Sequence, residues 1–349
     1  MERTLRYIVL CLAAALAAGC EKQIDIDIED RTPEVVVRSL SQTDSPLQVR
    51  LTYSRPTFST YYVPYGGNRF EEITGATVAL SCNGAAPITA TENDHGNYQF
   101  PYSPQPGDRL SLTVSVAGRQ PLSAVAEVPG RPVVAAVRLE EQSDNADERR
   151  LTFSLLDDAS TAVYYAVRVR CHQTIYYAEH LAENYDSITA RDTVVRDYYV
   201  DFSCTDYTLV PGGGLEDMDP EDPEAASTYW GDEMLFSDAN INGLSHRMTI
   251  AIQRYSYNYD YSYDDPHIGD GSHYWTQTDN CQYHLEVSAL SRDAFLYLNT
   301  VDAYDDDALL SLFREPVQIH GNISGGIGIF AVRSLTTVSL DHEPLTADR

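Results

Sequence analysis

Apolar and polar residues alternate along much of this chain with a period of two. The clearest case is Leu110, Leu112, Val114 and Val116, interleaved with Ser111, Thr113 and Ser115. That spacing sends successive side chains to opposite faces of an extended strand, one toward a core and the other toward water. Related stretches run from Val35 to Leu40, Leu47 to Tyr53, Ala76 to Cys82, Asn97 to Tyr102 and Leu122 to Val128. Turn formers separate them: Gly66-Gly67-Asn68, Asn83-Gly84, Asp94-His95-Gly96 and Pro106-Gly107-Asp108. Strands at this spacing predict an immunoglobulin-like β-sandwich of about seven strands over residues 35–130.

Pro129-Gly130-Arg131-Pro132 interrupts the pattern. Proline has no N–H to give to a sheet ladder, so a domain boundary is expected there. The alternation then resumes in Leu151, Phe153 and Leu155, in Val163, Tyr165, Val167 and Val169, in Met248, Ile250 and Ile252, and in Tyr283, Leu285 and Val287. One helix is predicted after Ser291 as N-cap, because Ala294, Phe295, Leu298 and Val301 recur at helical spacing and Asp293 sits in the first turn. Residues 171–230 and 255–275 read as long insertions. The expected fold is therefore mainly all-β: two β-sandwich-like domains, 35–130 and 131–349, the second with one short helix and long loop insertions.

The first residues follow a different logic. Arg3 and Arg6 form a basic head, and the apolar run Tyr7 to Ala18 leads to Leu16-Ala17-Ala18-Gly19-Cys20. This is the layout of a secretory signal. The run is about a dozen residues, whereas a membrane-spanning helix needs roughly 20, so removal of residues 1–19 is expected. Small residues at positions 17–19 let the chain lie extended in a peptidase groove, and Cys20 directly after them offers a thiol for diacylglycerol. Residues 20–34 form an acidic tether in which Ile24, Ile26 and Ile28 alternate with Asp25, Asp27 and Glu29.

Composition narrows the classes of partner. The formal charge of −28 repels phosphate backbones and anionic headgroups, which argues against nucleic acid and against electrostatic attachment to a membrane. Attachment falls to the lipid on Cys20. In an exported chain the cysteines left over, Cys82, Cys171, Cys204 and Cys281, have three possible full pairings. Cys171 with Cys204, which flank one irregular segment, is the preferred candidate disulfide, and free buried thiols are the alternative.

Several short motifs occur in one order: Cys20-Glu21-Lys22 with Ile24-Asp25-Ile26-Asp27, Gly75-Ala76-Thr77-Val78, and Gly96-Asn97-Tyr98. They continue with Asp157 and Tyr164-Tyr165, Phe236-Ser237-Asp238 and Asn242-Gly243, then Phe313-Arg314-Glu315-Pro316-Val317-Gln318-Ile319 and Asn322 through Phe330. Together they resemble the Bacteroidota lipoproteins classed as domain of unknown function 4249. The resemblance implies an outer-membrane lipoprotein, often encoded beside TonB-dependent receptors. It implies no established reaction and carries over no active-site residue.

Candidate chemistry is sparse. Gly326-Ile327-Gly328-Ile329-Phe330-Ala331 has the glycine spacing of a dinucleotide loop, but no helix is predicted after it, so the glycines read as a turn and a crowded strand entry. Asp217, Asp219, Glu221, Asp222 and Glu224 are broken by Pro220 and Pro223 and lack the glycine of a calcium loop. His267, His273, Cys281 and His284 match no standard zinc spacing. No nucleophile elbow, zinc-protease pair or phosphate loop is present. The expectation is a protein that is not an enzyme, with no metal and no cofactor.

The most unusual feature is the run Tyr255, Tyr257, Tyr259, Tyr261 and Tyr263, followed by Tyr274 and Trp275. An extended chain places the alternating rings on one face. Turn formers at Asp264-Asp265-Pro266 and Gly269-Asp270-Gly271 predict a hairpin that returns the second aromatic pair to the first. Rigid rings with hydroxyls suit a recognition surface. Two uses follow: contact with a TonB-dependent receptor or other surface complex, or binding of a glycan or small ligand. Space-filling inside a sheet is the competing role. Ser187 and Thr193, in Asp186-Ser187-Ile188 and Asp192-Thr193-Val194, are candidate O-glycosylation sites. The expected location is the outer membrane, lipid-anchored, at the cell surface, with the periplasmic face as the alternative. Cys20→Ala is expected to abolish acylation, which detergent phase partitioning and intact mass would both register.

Overall fold

The computed structural model describes residues 32–55, 70–141, 148–181, 184–206, 208–209, 228–253, 260–263, 273–305 and 318–340. The chain divides into two compact units. One, Met1–Pro33 with Arg55–Tyr62, lies almost wholly outside these residues; the other, Glu34–Ser54 with Val63–Arg349, holds the architecture.

Its first half contains β1 (Val35–Gln42), β2 (Gln48–Tyr53), β3 (Thr77–Cys82), β4 (Ile88–Thr89), β5 (Thr91–Asp94), β6 (Asn97–Gln99), β7 (Arg109–Ser115) and β8 (Leu122–Glu127). Next come β9 (Val133–Glu141), β10 (Glu148–Leu156), β11 (Tyr164–Leu181), β12 (Asn184–Tyr199), β13 (Phe202–Thr205), β14 (Thr228–Gly231), β15 (Glu233–Ser237) and β16 (Ser245–Gln253). The last elements are β17 (Asp260–Tyr263), β18 (His273–Leu290), α1 (Arg292–Asp305) and β19 (Ile327–Ser339). The protein is thus mainly β with a sandwich-like arrangement, and α1 is its one helix among the described residues. Ser291 caps α1 through a 3.3 Å hydrogen bond from the Ala294 N–H.

Three sheets form. A four-stranded sheet, β4-β3-β7-β8, faces the strands β1, β2 and β6 across a core that includes Val37, Leu51, Val78, Leu80, Tyr98, Leu112 and Val114. The period-two pattern explains the packing, since β7 buries every second residue and β8 does the same. A five-stranded sheet, β14-β13-β16-β10-β9, supplies Leu151, Phe153, Phe202, Met248 and Ile250 to a second core. Across that core stand Val167, Val169, Leu285 and Val287 of a ten-stranded sheet ordered β12-β11-β18-β19-β1-β2-β6-β5, with β15 on β11 and β17 on β18. A small third core under α1 joins Ala166, Leu235, Leu290, Ala294, Ile329 and Ala331, and Tyr164 stacks on Phe295 with ring centroids 4.5 Å apart.

The sequence suggests two separate domains meeting at Pro129 to Pro132. The structure has two large cores on either side of that break, but a single sheet runs across it. The strand responsible is β19. It pairs parallel with β1 near the start of the chain, Val37 opposite Gly328 and Leu40 opposite Ala331, and antiparallel with β18 on its other edge. Phe330 and Val332 fill the first core, while Ile329 and Ala331 turn into the core under α1. Farther along, Ser334 Oγ donates to the Pro129 carbonyl at 2.5 Å and Thr336 Oγ1 to the Pro132 carbonyl at 2.7 Å. The proline segment that breaks the pattern is therefore strapped to the last strand. Parallel pairing between residues so far apart in sequence has no local signal, which is why the alternation could not reveal it.

Glycines make this approach possible. A Cβ on Gly328, whose φ is +114°, would lie 2.0 Å from the Val37 carbonyl oxygen. One on Gly326 would lie 2.2 Å from Leu122 Cδ2. Before them, Asn322 clamps β19 by donating to the Phe330 carbonyl at 2.8 Å and accepting from the Phe330 N–H at 2.9 Å. The glycine spacing seen in the sequence thus serves strand packing, with no helix following it. Gly328→Ala is expected to cost about 2–4 kcal/mol from crowding and positive φ. Because β19 belongs to both cores, urea unfolding followed by fluorescence and circular dichroism should show the two halves losing structure together.

Candidate functional site

The motifs that carry the family resemblance are occupied in building the fold. Tyr98 donates its hydroxyl to the Ile73 carbonyl at 2.9 Å and accepts from the Ala76 N–H at 3.0 Å, while the Gly75 N–H bonds Glu92 Oε2 at 2.8 Å. Asp157 accepts the Tyr165 hydroxyl at 2.5 Å on one oxygen and the Gly243 N–H at 2.7 Å on the other. Asp238 accepts the Val163 N–H at 2.7 Å. Burial first, and then the Asp157 hydrogen bond, keep the Tyr165 proton on its oxygen. Each of these polar groups fastens a strand or loop to a neighbouring segment.

What remains is an arm. In its first half β11 turns Tyr165, Val167, Val169 and Cys171 into the second core, opposite Ala289, Val287, Leu285 and Tyr283 of β18. Both strands then continue past Gln173 and Tyr283, the last buried residues described on them. From Thr174 to Leu181, β11 pairs with Asn280 to His273 of β18. β12 flanks β11 there, and β17 flanks β18. Eight residues of strand reach roughly 27 Å. The two sequence segments that read as separate loop insertions are hydrogen-bonded neighbours here, and the first is strand over most of its described length.

The candidate residues distribute along this arm. Tyr261 stands opposite Trp275, Tyr263 opposite His273, and Ser262 opposite Tyr274. On the other side Trp275 pairs with Glu179 and Tyr274 with His180. The ladder thus aligns the end of the tyrosine run with the Tyr274-Trp275 pair. Tyr255, Tyr257 and Tyr259 lie outside the described residues. Thr193 is exposed on β12 opposite Tyr176, and Ser187 lies on the same strand.

At the base of the arm, on the face away from the second core, lies a lattice of charge. Glu286 is only 5% exposed, yet it accepts from Arg168 Nη2 at 3.2 Å, Arg170 Nε at 2.9 Å and the Tyr199 hydroxyl at 3.3 Å. The Arg168 guanidinium also covers the Tyr199 ring at 4.1 Å. Arg333 reaches Glu233 at 2.6 Å, and Arg168 approaches the same carboxylate at 3.7 Å. Asp197 meets Arg170 and His172, each at 3.0 Å. The hydrogen bond with His172 outweighs desolvation and, helped by Arg170, holds the Asp197 carboxyl below its ordinary range. Guanidinium and carboxylate alternate, so burial leaves no charge in this group uncompensated. The lattice ties β12, β11, β18, β19 and β15 together, which fixes the arm on its base. Sequence reasoning missed it, although a signal was present: Arg168, Arg170 and His172 alternate with Val167, Val169 and Cys171.

Cys171 and Cys204, expected as a disulfide, are not joined to each other, and Cys82 and Cys281 likewise form no disulfide. The two sit on different sheets and each fills its own place in the second core. The Tyr198 hydroxyl bonds Cys171 and Cys281, and burial pushes the Cys204 thiol up to about 12. Of the residues weighed for zinc, Cys281 packs against the second core whereas His284 bonds Ser339 Oγ at 3.1 Å, close enough to Arg170 and Asp197 to feel their charges. His267 and residues 217–224 lie outside the described residues, and no group of three or more metal-ligating side chains occurs among those described.

Fold and site together define a mainly β protein whose two cores share one closing strand and whose central sheet extends into a four-stranded arm. The chain belongs to the family described as "Domain of unknown function (DUF4249)", whose model matches residues 21–338. No curated protein matches it.

The lattice has a pH signature. Burial first, and then the positive charge of Arg170, lower His284 below its ordinary value of 6.5. The unfolded chain therefore takes up a proton before the folded one does, so stability falls as pH drops below 6.5 toward the folded value. His284→Gln is expected to flatten that decline, read as a smaller loss of urea midpoint between pH 7.5 and 5.5.

Proposed function

We propose that this protein is a lipid-anchored, non-enzymatic interaction module of the outer membrane, acting as an accessory of a TonB-dependent receptor or another surface assembly. The anchor in this proposal is the lipid on Cys20, and the contact is made by the tip of the arm. The observation that carries it is the register at that tip, which sets Tyr261 across from Trp275, past the last described core residues. Opposed residues in a ladder lie about 5 Å apart and share one face of the sheet, so this register puts two aromatic positions side by side. Tyrosine and tryptophan are enriched among residues that dominate binding energy. Two further observations favour recognition over chemistry. The family motifs are committed to turns and clamps, and the carboxylates at the arm's base are engaged by arginines. No helix among the described residues is long and apolar enough to cross a membrane, so in this proposal attachment depends on the lipid.

A glycan would use the same rings, stacked on a sugar face, and the test separates the two. Trp275→Ala and Tyr261→Ala should each weaken partner retention by roughly 1–4 kcal/mol in pull-downs from native membranes, with melting temperature unchanged. Tyr283→Ala, at a buried position, should instead cost ~3–5 kcal/mol of stability. Full retention by stable tip variants would reject the proposal. Saturable binding of a defined oligosaccharide by isolated protein, lost in the same variants, would replace the protein partner with a glycan.

A further inference from the structure

β12 forms one edge of the ten-stranded sheet, and among the described residues no strand pairs with its outer side. The edge is 16 residues long, contains no proline, and carries Val195 at 55% exposure. A long edge with unused N–H and C=O groups is a template for another strand unless something blunts it. Charges of both signs lie along it, in Arg191-Asp192-Thr193-Val194-Val195-Arg196-Asp197.

We propose that the β12 edge pairs antiparallel with the same edge of a second copy of this chain, about a two-fold axis at Val194. In that register Arg191 stands opposite Asp197 of the second copy and Asp192 opposite its Arg196, and symmetry repeats both pairs. Val194 meets itself, and Thr193 meets Val195. Directly opposed unlike charges stabilise an antiparallel pair and like charges destabilise it. Charges placed only to keep edges apart would meet their own sign in self-pairing, and these meet the opposite sign. The register is also selective. Centring the axis on Thr193 or on Val195 sets each of Arg191, Asp192, Arg196 and Asp197 opposite an uncharged residue. Asp197 meets Arg170 and His172 through Oδ1, so a third cation approaches its other oxygen. Opposed positions have the same parity, so the lattice face of one sheet continues into that of the other. The interface is isologous and closes on itself, giving a dimer and not a fibre. It does not depend on what the tip of the arm binds.

Cross-linking and charge exchange test this on the mature full-length protein in detergent. Oxidation of Val194→Cys should give a covalent dimer, because the two copies of that position face each other at about 5 Å. Thr189→Cys should give none above the parent chain, since its copies lie about ten residues apart along the ladder, roughly 33 Å. Arg196→Asp should weaken dimerisation at least ~10-fold in sedimentation, by opposing like charges twice. Adding Asp192→Arg to it should restore the parent affinity to within ~3-fold. Absence of the link at position 194, equal linking at 189, or an exchange variant no better than Arg196→Asp would each overturn the proposal. Should Arg196→Asp misfold by circular dichroism, the cross-linking pair still decides.

Discussion

The close parallel approach of β19 to β1 is the constraint on which this structure depends. Two backbones come together at Val37 and Gly328 more closely than any side chain would permit. That contact completes the first core with Phe330 and Val332 and, through Ile329 and Ala331, seats α1. The same strand then borders β18 and secures the proline segment through Ser334 and Thr336. Each half of the chain lacks a piece of its core until the last strand returns, which couples the order of folding to completion of the chain.

Fixing β18 between β19 and β11 in turn positions the arm. The lower part of β11 is bordered by β15 and β18, and the upper part exchanges β15 for β12 while β18 exchanges β19 for β17. At that exchange the lattice of Arg168, Arg170, Arg333, Glu233, Glu286 and Asp197 spans the junction. A buried lattice of this kind is poor at adding stability relative to apolar packing, because desolvation offsets the Coulomb gain. Its consequence is register. A slip of β12 or β18 by one residue would strand a carboxylate or a guanidinium in the interior. The register of the arm on its base is fixed in this way.

The polar motifs and the thiols fall into place around this frame. Asp157, Tyr165, Asp238 and Asn322 look like chemistry in one dimension, yet Asp157, Asp238 and Asn322 each accept a backbone N–H, and Tyr165 donates to Asp157. Cys171 and Cys204 flank a segment that seemed irregular, whereas the strands between them are part of the core and its extension. Both pack as small apolar side chains in the second core, and burial raises the Cys204 thiol.

Local pattern determined a good deal by itself. The alternation through Leu110 to Val116, the helix after Ser291 and the mainly β class follow from periods of two and 3.6, because those periods are properties of neighbouring residues. The acidic charge and the family motifs are likewise read directly from the chain. The tertiary structure decided what non-local contact controls. It joined β19 to β1 across the length of the chain, merged two sequence insertions into one arm, aligned Tyr261 with Trp275, and gathered Arg168, Arg170 and Arg333 around Glu286 and Glu233. Pairing partners in a sheet are chosen by the closing of long loops and by which faces must be buried, and neither is encoded in any short window of sequence.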